Sequence, residues 1–349
     1  MSGTEKQVPD FKVKINGSPL SSELLPHLLK VEVQQSLRLI DMGVLRFSNP
    51  HGVVGDASEF TMGNEVEVQA GFLGDIATVF KGEIVSLEPD FPTSGSPTFV
   101  VRAYDKLHRL RRGRKQRTFL NQKVSDVVSS LISEEGLTPD VEDTGSQHEW
   151  LVQNNQSNID YIHELGRAHG YEVALVENGA KLRFKKPQHS GGQAVTIKWG
   201  EELKAFYPRA SLNNVVTQVV VRCWDMKKKE AVIQQNESLS SAMGASTVAT
   251  KQAESKFGAA KLQVSLRQAN SPEEAKALAS AIYEDRALDA VNGYGNCLGN
   301  TAIVPGKVIA IEGCGKIWSG DYYVVGTTHL LDPNAGYVTE FRVKRTGVG

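Results

Sequence analysis

A mainly β chain that carries a small α+β unit in its middle is the fold class this sequence predicts, and three observations predict it. From Phe11 to Tyr104, apolar and polar residues alternate in short runs broken by turn formers. From about residue 113 to 190 the apolar period lengthens to that of amphipathic helices. Strand-like runs then return and continue to the C-terminus, interrupted by one well-capped helix.

In the first region the strands are FKVKI, LLKVEVQQSL, EVEVQA, VFKGEIVSL and TFVVRAY. Asn16-Gly17, Gly71, Gly74 and the cluster FPTSGSP at 91 to 97 supply turns or exposed loops between them. An antiparallel sheet or barrel of residues 1–112 follows.

The texture changes at Leu107, first to the basic stretch HRLRRGRKQR and then to helical spacing. Val124, Val127, Val128, Leu131 and Ile132 fall on one helical face, and Gly136 stands where a left-handed cap closes a helix. Ser157 is placed to cap a second helix, with Asp160 three residues on, that buries Ile159, Ile162 and Leu165 before Gly170. In VALVENGAKLRF, Asn178-Gly179 sits between two alternating strands, a type I′ hairpin signal. Residues 113–195 thus read as an α+β insertion.

The third region, 196–349, returns to strands in VVTQVVVRCW, GKVIAIEG, YYVVGTTHL and YVTEFRVKR. Ser271-Pro272-Glu273-Glu274 supplies an N-cap, a proline at the first helical position and a capping carboxylate. A helix over about 271–290 follows, with Ala275, Leu278, Ala279 and Ile282 on its apolar face. Residues 225 to 260 are polar, small and weakly periodic, so a long mobile excursion is expected there. No internal repeat is visible.

Composition bounds the function. The 349 residues, 40% of them hydrophobic, suffice for two or three cores. Thirty-nine Lys and Arg against 40 Asp and Glu leave a formal charge of -1, which removes any whole-chain capture of nucleic acid or anionic membrane. Cys223, Cys297 and Cys314 are too scattered for a disulfide framework or a C-x-x-C zinc site, and read as small buried hydrophobes. The N-terminus has no signal-peptide order and no run approaches the ~18 apolar residues of a membrane span, so cytosolic synthesis and folding are expected.

Motifs for chemistry are few. His163-Glu164 and His169 suggest a metalloprotease helix, but six residues turn a helix by about 600°, which leaves the two imidazoles about 120° apart. Solvent-edge histidines are expected instead. The run Gly293-Tyr294-Gly295-Asn296-Cys297-Leu298-Gly299 is one residue too long for a dinucleotide fingerprint and follows a helix, whereas a phosphate-binding turn follows a strand. Gly313, Gly315 and Lys316 end in Ile317 where a P-loop needs Ser or Thr. All these glycines are read as turns. Neither a G-x-S-x-G elbow nor a carboxylate pairing with separated acid and base roles is visible. The sequence therefore assigns no catalytic, cofactor-binding or metal residue. The basic run Lys106, Arg109, Arg111, Arg112, Arg114, Lys115 and Arg117 has only Phe119 for aromatic company, so a linker or subunit contact is expected more than a nucleic-acid strip.

Five segments, in order, carry a resemblance. They are Tyr-Asp-x-Leu-His-x-Leu at Tyr104 to Leu110; FLNQKVSDVVSSLISEEGL; LVQNNQSNIDYIHELGRAHGYEV; LNNVVTQVVVRCWDMKKKE; and the closing NTAIVPGKVIAIEGCGKIWSGDYYVVGTTHLLDPNAGYVTEFRVKR. Together they are spread from Tyr104 to Arg345 of the chain, which resembles the phage late control D family. Those are baseplate hub proteins related to the N-terminal part of type VI secretion VgrG spike proteins.

The resemblance implies two tail-tube-like antiparallel β-barrel domains, the first interrupted by the α+β insertion. It further implies a homotrimer whose six similar barrels join a hexameric tail tube, or a tube initiator, to a trimeric spike. Other baseplate proteins would be neighbours, DNA at most a transient passenger in the lumen, and stable membrane association is not expected. The expected setting is a virion tail baseplate or phage-like particle assembled in the bacterial cytoplasm. Because the sequence stops soon after YVTEFRVKR, the spike is expected to be a separate polypeptide. A baseplate-borne glycan hydrolase, which needs two carboxylates at a set separation, and a carbohydrate-binding adhesin, which needs exposed aromatic platforms, are the competing readings.

Overall fold

In the computed structural model, residues 8–177, 179–225, 228–265, 271–332 and 336–349 are described. A 13-stranded sheet runs through both ends of the chain. Its order begins at the strand Leu203–Ala210 and passes through Val291–Leu298, Gly336–Arg345 and Gly320–Asp332 to Leu28–Ser36. It then continues through Met42–Ser48, Thr98–Tyr104, Asp75–Asp90, Glu65–Phe72 and Pro9–Ile15. The chain is mainly β, and among the described residues this sheet runs open from edge to edge without closing on itself.

The first region forms for the reasons its alternation gives. Val31 and Val33, like Val66 and Val68, point into one core with Phe47, Phe99 and Val101. The Asn16-Gly17 turn has φ of 50° and 80°, the left-handed pair that lets Pro9–Ile15 fold back on Ser18–Pro19. The strand Met42–Ser48 is not among the expected runs. In MGVLRFS, Met42 and Val44 put apolar side chains on the face opposite Leu45 and Phe47, which blurs the period of two.

The insertion follows its expected pattern closely. The helix Val124–Ser133 buries Val124, Val127, Val128, Leu131 and Ile132, and Gly136 follows it at φ 73°. The helix Asn158–His169 is capped by the Ser157 hydroxyl, which accepts from the Asp160 amide at 3.2 Å, and is stopped by left-handed Gly170. Strands Glu172–Val176 and Lys181–Lys185 pair as a hairpin. The type I′ turn expected at Asn178-Gly179 depends on Asn178, which lies outside the described residues.

The third region holds two corrections. The segment 225 to 260, expected as a mobile excursion, contains the strand Glu230–Asn236 paired to Gln218–Asp225, and the helix Ala249–Phe257. Weak apolar signal hid them, since Val232, Ala249 and Ala253 are their buried hydrophobic residues. The last strand also holds this segment down. Arg345 is fully buried, stacks on Tyr322 and donates to the carbonyls of Ser319 and Gly244, while the Thr346 hydroxyl donates to the carbonyl of Ala242 at 2.9 Å.

The second correction concerns the glycines. Gly313 and Gly315 do turn the chain, at φ 81° and 77°. Gly293 and Gly295, however, lie inside the strand Val291–Leu298. A Cβ on Gly293 would stand 2.8 Å from the Phe206 ring, and one on Gly295 would stand 2.6 Å from the Ala205 carbonyl and 2.7 Å from Phe341. A Cβ on Gly299 would enter the Tyr337 ring. These glycines make room for aromatic side chains that fill the core. Replacing Gly295 by Ala should therefore cost about 1–3 kcal/mol of overpacking, measured as a lower denaturant midpoint with unchanged slope. An unchanged midpoint would show that the ring has room to move aside.

Candidate functional site

The basic run occupies the joint between the first region and the insertion. The Tyr104–Leu110 motif explains itself there, residue by residue. One Asp105 oxygen accepts from the Leu107 amide at 2.8 Å and the other from the Asp41 amide at 2.9 Å. Leu107 and Leu110 are buried. His108 Nε2 lies 2.8 Å from Glu83 Oε2, and Arg109 grips the same carboxylate with Nε at 2.9 Å and with Nη2 on the other oxygen. Burial would raise the Glu83 pKa, but the hydrogen bonds from Arg109 and His108 outweigh it and hold the carboxyl below its ordinary range.

Farther along, Arg117 reaches Glu134 at 2.7 Å, Asn158 at 2.9 Å and the buried Gln153 at 3.1 Å, while Lys115 reaches Glu134 at 3.1 Å. Arg114 donates to the Asn155 carbonyl at 3.3 Å. Arg111 and Arg112 stay exposed. At its two ends the run is thus an internal clamp, and only its middle faces outward.

Above this joint opens a groove of about 400 Å³ whose lining includes Gln35, Asp41, Lys81, Asp105, Arg183 and His329. Here the fold brings together two carboxylates that the sequence did not pair. Burial and then repulsion from Asp105 push Asp41 up to about 8, and burial pushes Asp105 up to about 7. Both also serve backbone amides, since Asp41 accepts from Ser36 N at 3.0 Å. Both carboxylates thus brace turns while lining the groove. At the groove's far side His329 is fully buried, with Tyr337 Oη at 2.9 Å and Thr339 Oγ1 at 3.1 Å from its Nδ1, and burial lowers it to about 4.

The histidines of the second helix do not meet each other, as the rotation of about 120° requires. They are not both at a solvent edge, however. His163 is half-buried, and His169 is 8% exposed and turns inward to face His148 and Glu274. His148 and Glu274 carried no sequence signal of this, because they lie 126 residues apart on a strand and a helix. Cys223 and Cys297 are buried as expected, whereas Cys314 is only half-buried, and all three are free thiols.

A pH dependence follows from the aspartate pair. A carboxyl whose native pKa exceeds its unfolded value binds its proton more tightly when folded, so its stabilising effect is full below the unfolded pKa and is lost as pH rises. Melting temperature should fall between about pH 4 and 8, and Asp41→Asn, which cannot ionise, should flatten that fall. Parallel melting curves for the two proteins across this range would count against the pair as the cause.

The fold so built is shared with solved structures. A 43 kDa tail protein of prophage MuSo2 from Shewanella oneidensis superimposes with a TM-score of 0.71 at 13% identity, over 97% of this chain and 98% of that one. A tail protein from Neisseria meningitidis gives 0.69 at 12% identity, with 98% of each chain covered. An Escherichia coli component of the type VI secretion system gives 0.62 at 13% identity, over 96% of this chain and 76% of that one. At such identities the likeness is one of fold. No curated protein sequence matches the chain. Residues 5–332 match the family described as the Alg8 N-terminal domain, and the chain belongs to that family.

Proposed function

We propose that this chain is a structural hub of a contractile tail or injection apparatus, a homotrimeric adaptor between a hexameric tube and a three-fold spike. The observation that carries this reading is the end-to-end likeness of fold to proteins described as tail proteins, one of them from a prophage, over 97% and 98% of this chain. In this reading residues 1–112 and 196–349 each act as a tube-like β unit, residues 113–195 form the insertion, and the late control D resemblance supplies the functional analogy. The role is one of geometry and adhesion. Other baseplate proteins surround it in a phage or phage-like particle assembled in the bacterial cytoplasm, and DNA passes through the lumen at most transiently.

The surface supports it. Tyr207 and Tyr294 are more than half exposed, stack at 4.7 Å and lie where the large sheet ends, on Leu203–Ala210 and its neighbour. An edge strand with exposed aromatics is a surface that a neighbouring subunit covers favourably. Leu120 and Trp150, directly paired across the insertion's two-stranded sheet, are likewise 64% and 50% exposed. Among the described residues no helix is long and apolar enough to cross a membrane.

Co-expression with neighbouring tube and spike genes should yield a complex containing three copies of this chain, read by size exclusion and native mass. Monomer alone inside purified particles would sink the reading. Replacing Tyr207 and Tyr294 together by Ser should leave the isolated chain folded, by circular dichroism, while reducing its incorporation into particles. Normal incorporation of that variant would remove this face from the interface. Release of soluble fragments from murein or capsule by the purified protein would favour the hydrolase alternative.

A further inference from the structure

The second helix of the insertion ends at His169, the strand Gln147–Gln156 carries His148, and the capped helix Pro272–Leu288 carries Glu274 in its first turn. Three elements from distant parts of the sequence therefore place two imidazoles and one carboxylate at a single point. His148 Nε2 and His169 Nε2 each lie 3.9 Å from the same oxygen, Glu274 Oε1, and all three atoms lie within 4.8 Å of one another. From this geometry we propose that His148, His169 and Glu274 bind a divalent transition-metal ion, zinc by its ligand chemistry, which fastens the insertion to the C-terminal region.

Four features of the cluster support the assignment. First, the spacing fits. A distance of 3.9 Å is too long for a direct hydrogen bond and is what a bridging atom leaves. A point equidistant from the three atoms lies within about 2.5 Å of each, against ~2.0–2.2 Å for zinc on imidazole and carboxylate, so closure needs only a few tenths of an ångström.

Second, the tautomer fits. His169 Nδ1 stands 3.0 Å from the Leu165 carbonyl, an acceptor, so Nδ1 carries a proton and Nε2 is the nitrogen left facing the cluster. A backbone carbonyl holding the far nitrogen of a histidine is the usual outer support of a metal ligand.

Third, the surroundings fit. His148 and His169 are 6% and 8% exposed, so both rings are enclosed by the fold. Glu274, 17% exposed at its side chain, gives the cluster access from solvent. Fourth, the donor set of two histidines and one carboxylate is one that zinc takes. None of this depends on the hub reading, because the cluster is internal to one chain.

The test uses the full-length protein prepared without a histidine tag and stripped with chelator. Titration with zinc against a chromogenic chelator should show about one equivalent bound per chain, with a rise in melting temperature that excess chelator reverses. In ¹⁵N-labelled protein, two histidine Nε2 resonances should shift on zinc addition while the others stay. Glu274→Gln keeps the backbone cap made to Ser271 and should weaken zinc at least about 10-fold, as should His169→Gln. Binding below one equivalent that no variant alters, or zinc shifts at other histidines, would overturn the proposal. Should His169→Gln prove unstable, the wild-type titration and the resonance shifts decide alone.

Discussion

The ladder between Leu28–Ser36 and Gly320–Asp332 is the contact on which the rest of the molecule depends. It pairs Val31 with Leu331 and Ser36 with Gly326, so residues from the two ends of the chain share one row of backbone hydrogen bonds. Closing a loop of that length costs entropy that grows only slowly with length, and the ladder repays it with core as well as hydrogen bonds. Leu331 and Tyr337 pack into the first region's core, and Gly299 is bare of a side chain because Tyr337 swings across to get there. Without that seam the two halves of the sheet would each present an open edge.

The seam also fixes where the insertion must sit. Residues between 113 and 195 leave the first region and return to the third, so they lie against both. On the first region's side Leu107, Leu110 and Ile40 join the insertion's own apolar core, whereas toward the third region one helix supplies many polar contacts. Along Pro272–Leu288, Glu274 faces His148 and His169, Glu284 faces His189 at 3.8 Å, and Asp285 meets Arg38 at 2.9 Å. Tyr323 adds a hydroxyl donated to Glu172 at 2.5 Å, where burial raises the pKa of the carboxyl. The opposite face of that helix is apolar, with Ala275, Leu278, Ala279 and Tyr283 packed on the sheet of Gln218–Asp225. One helix is therefore held by a hydrophobic core beneath and by charged groups above, which determines both its position and its rotation.

Most elements could be read from the sequence wherever local signal and tertiary demand coincide. Val124 to Ile132, the Ser157 cap and the Ser271-Pro272 start are examples in which each residue's own preference agrees with its place. The reading failed where a residue's role is set by a distant partner. Gly293 and Gly295 look like turn formers until Phe206 and Phe341 are seen in the space a Cβ would fill. Arg345 looks like the basic end of a surface strand until Tyr322 and two carbonyls enclose it. His169 was correctly separated from His163 by helical rotation, yet its partners came from residues 148 and 274, which no spacing rule links.

The same distinction explains the surface. Internally this chain uses its charged side chains at joints, with Arg109 on Glu83, Arg117 on Glu134 and Lys344 on Asp289. Trp150, Trp199, Tyr207 and Tyr294 meanwhile stand half exposed or more. An isolated protein gains nothing from that allocation, since exposed aromatic area is unfavourable in water and paired charges inside gain little over solvated ones. It becomes favourable if neighbours cover the aromatics, because apolar faces tolerate small shifts in register while internal charge clamps keep the joints at one angle. A ring of such subunits would hold its shape through the clamps within each chain and its cohesion through the aromatic faces between them.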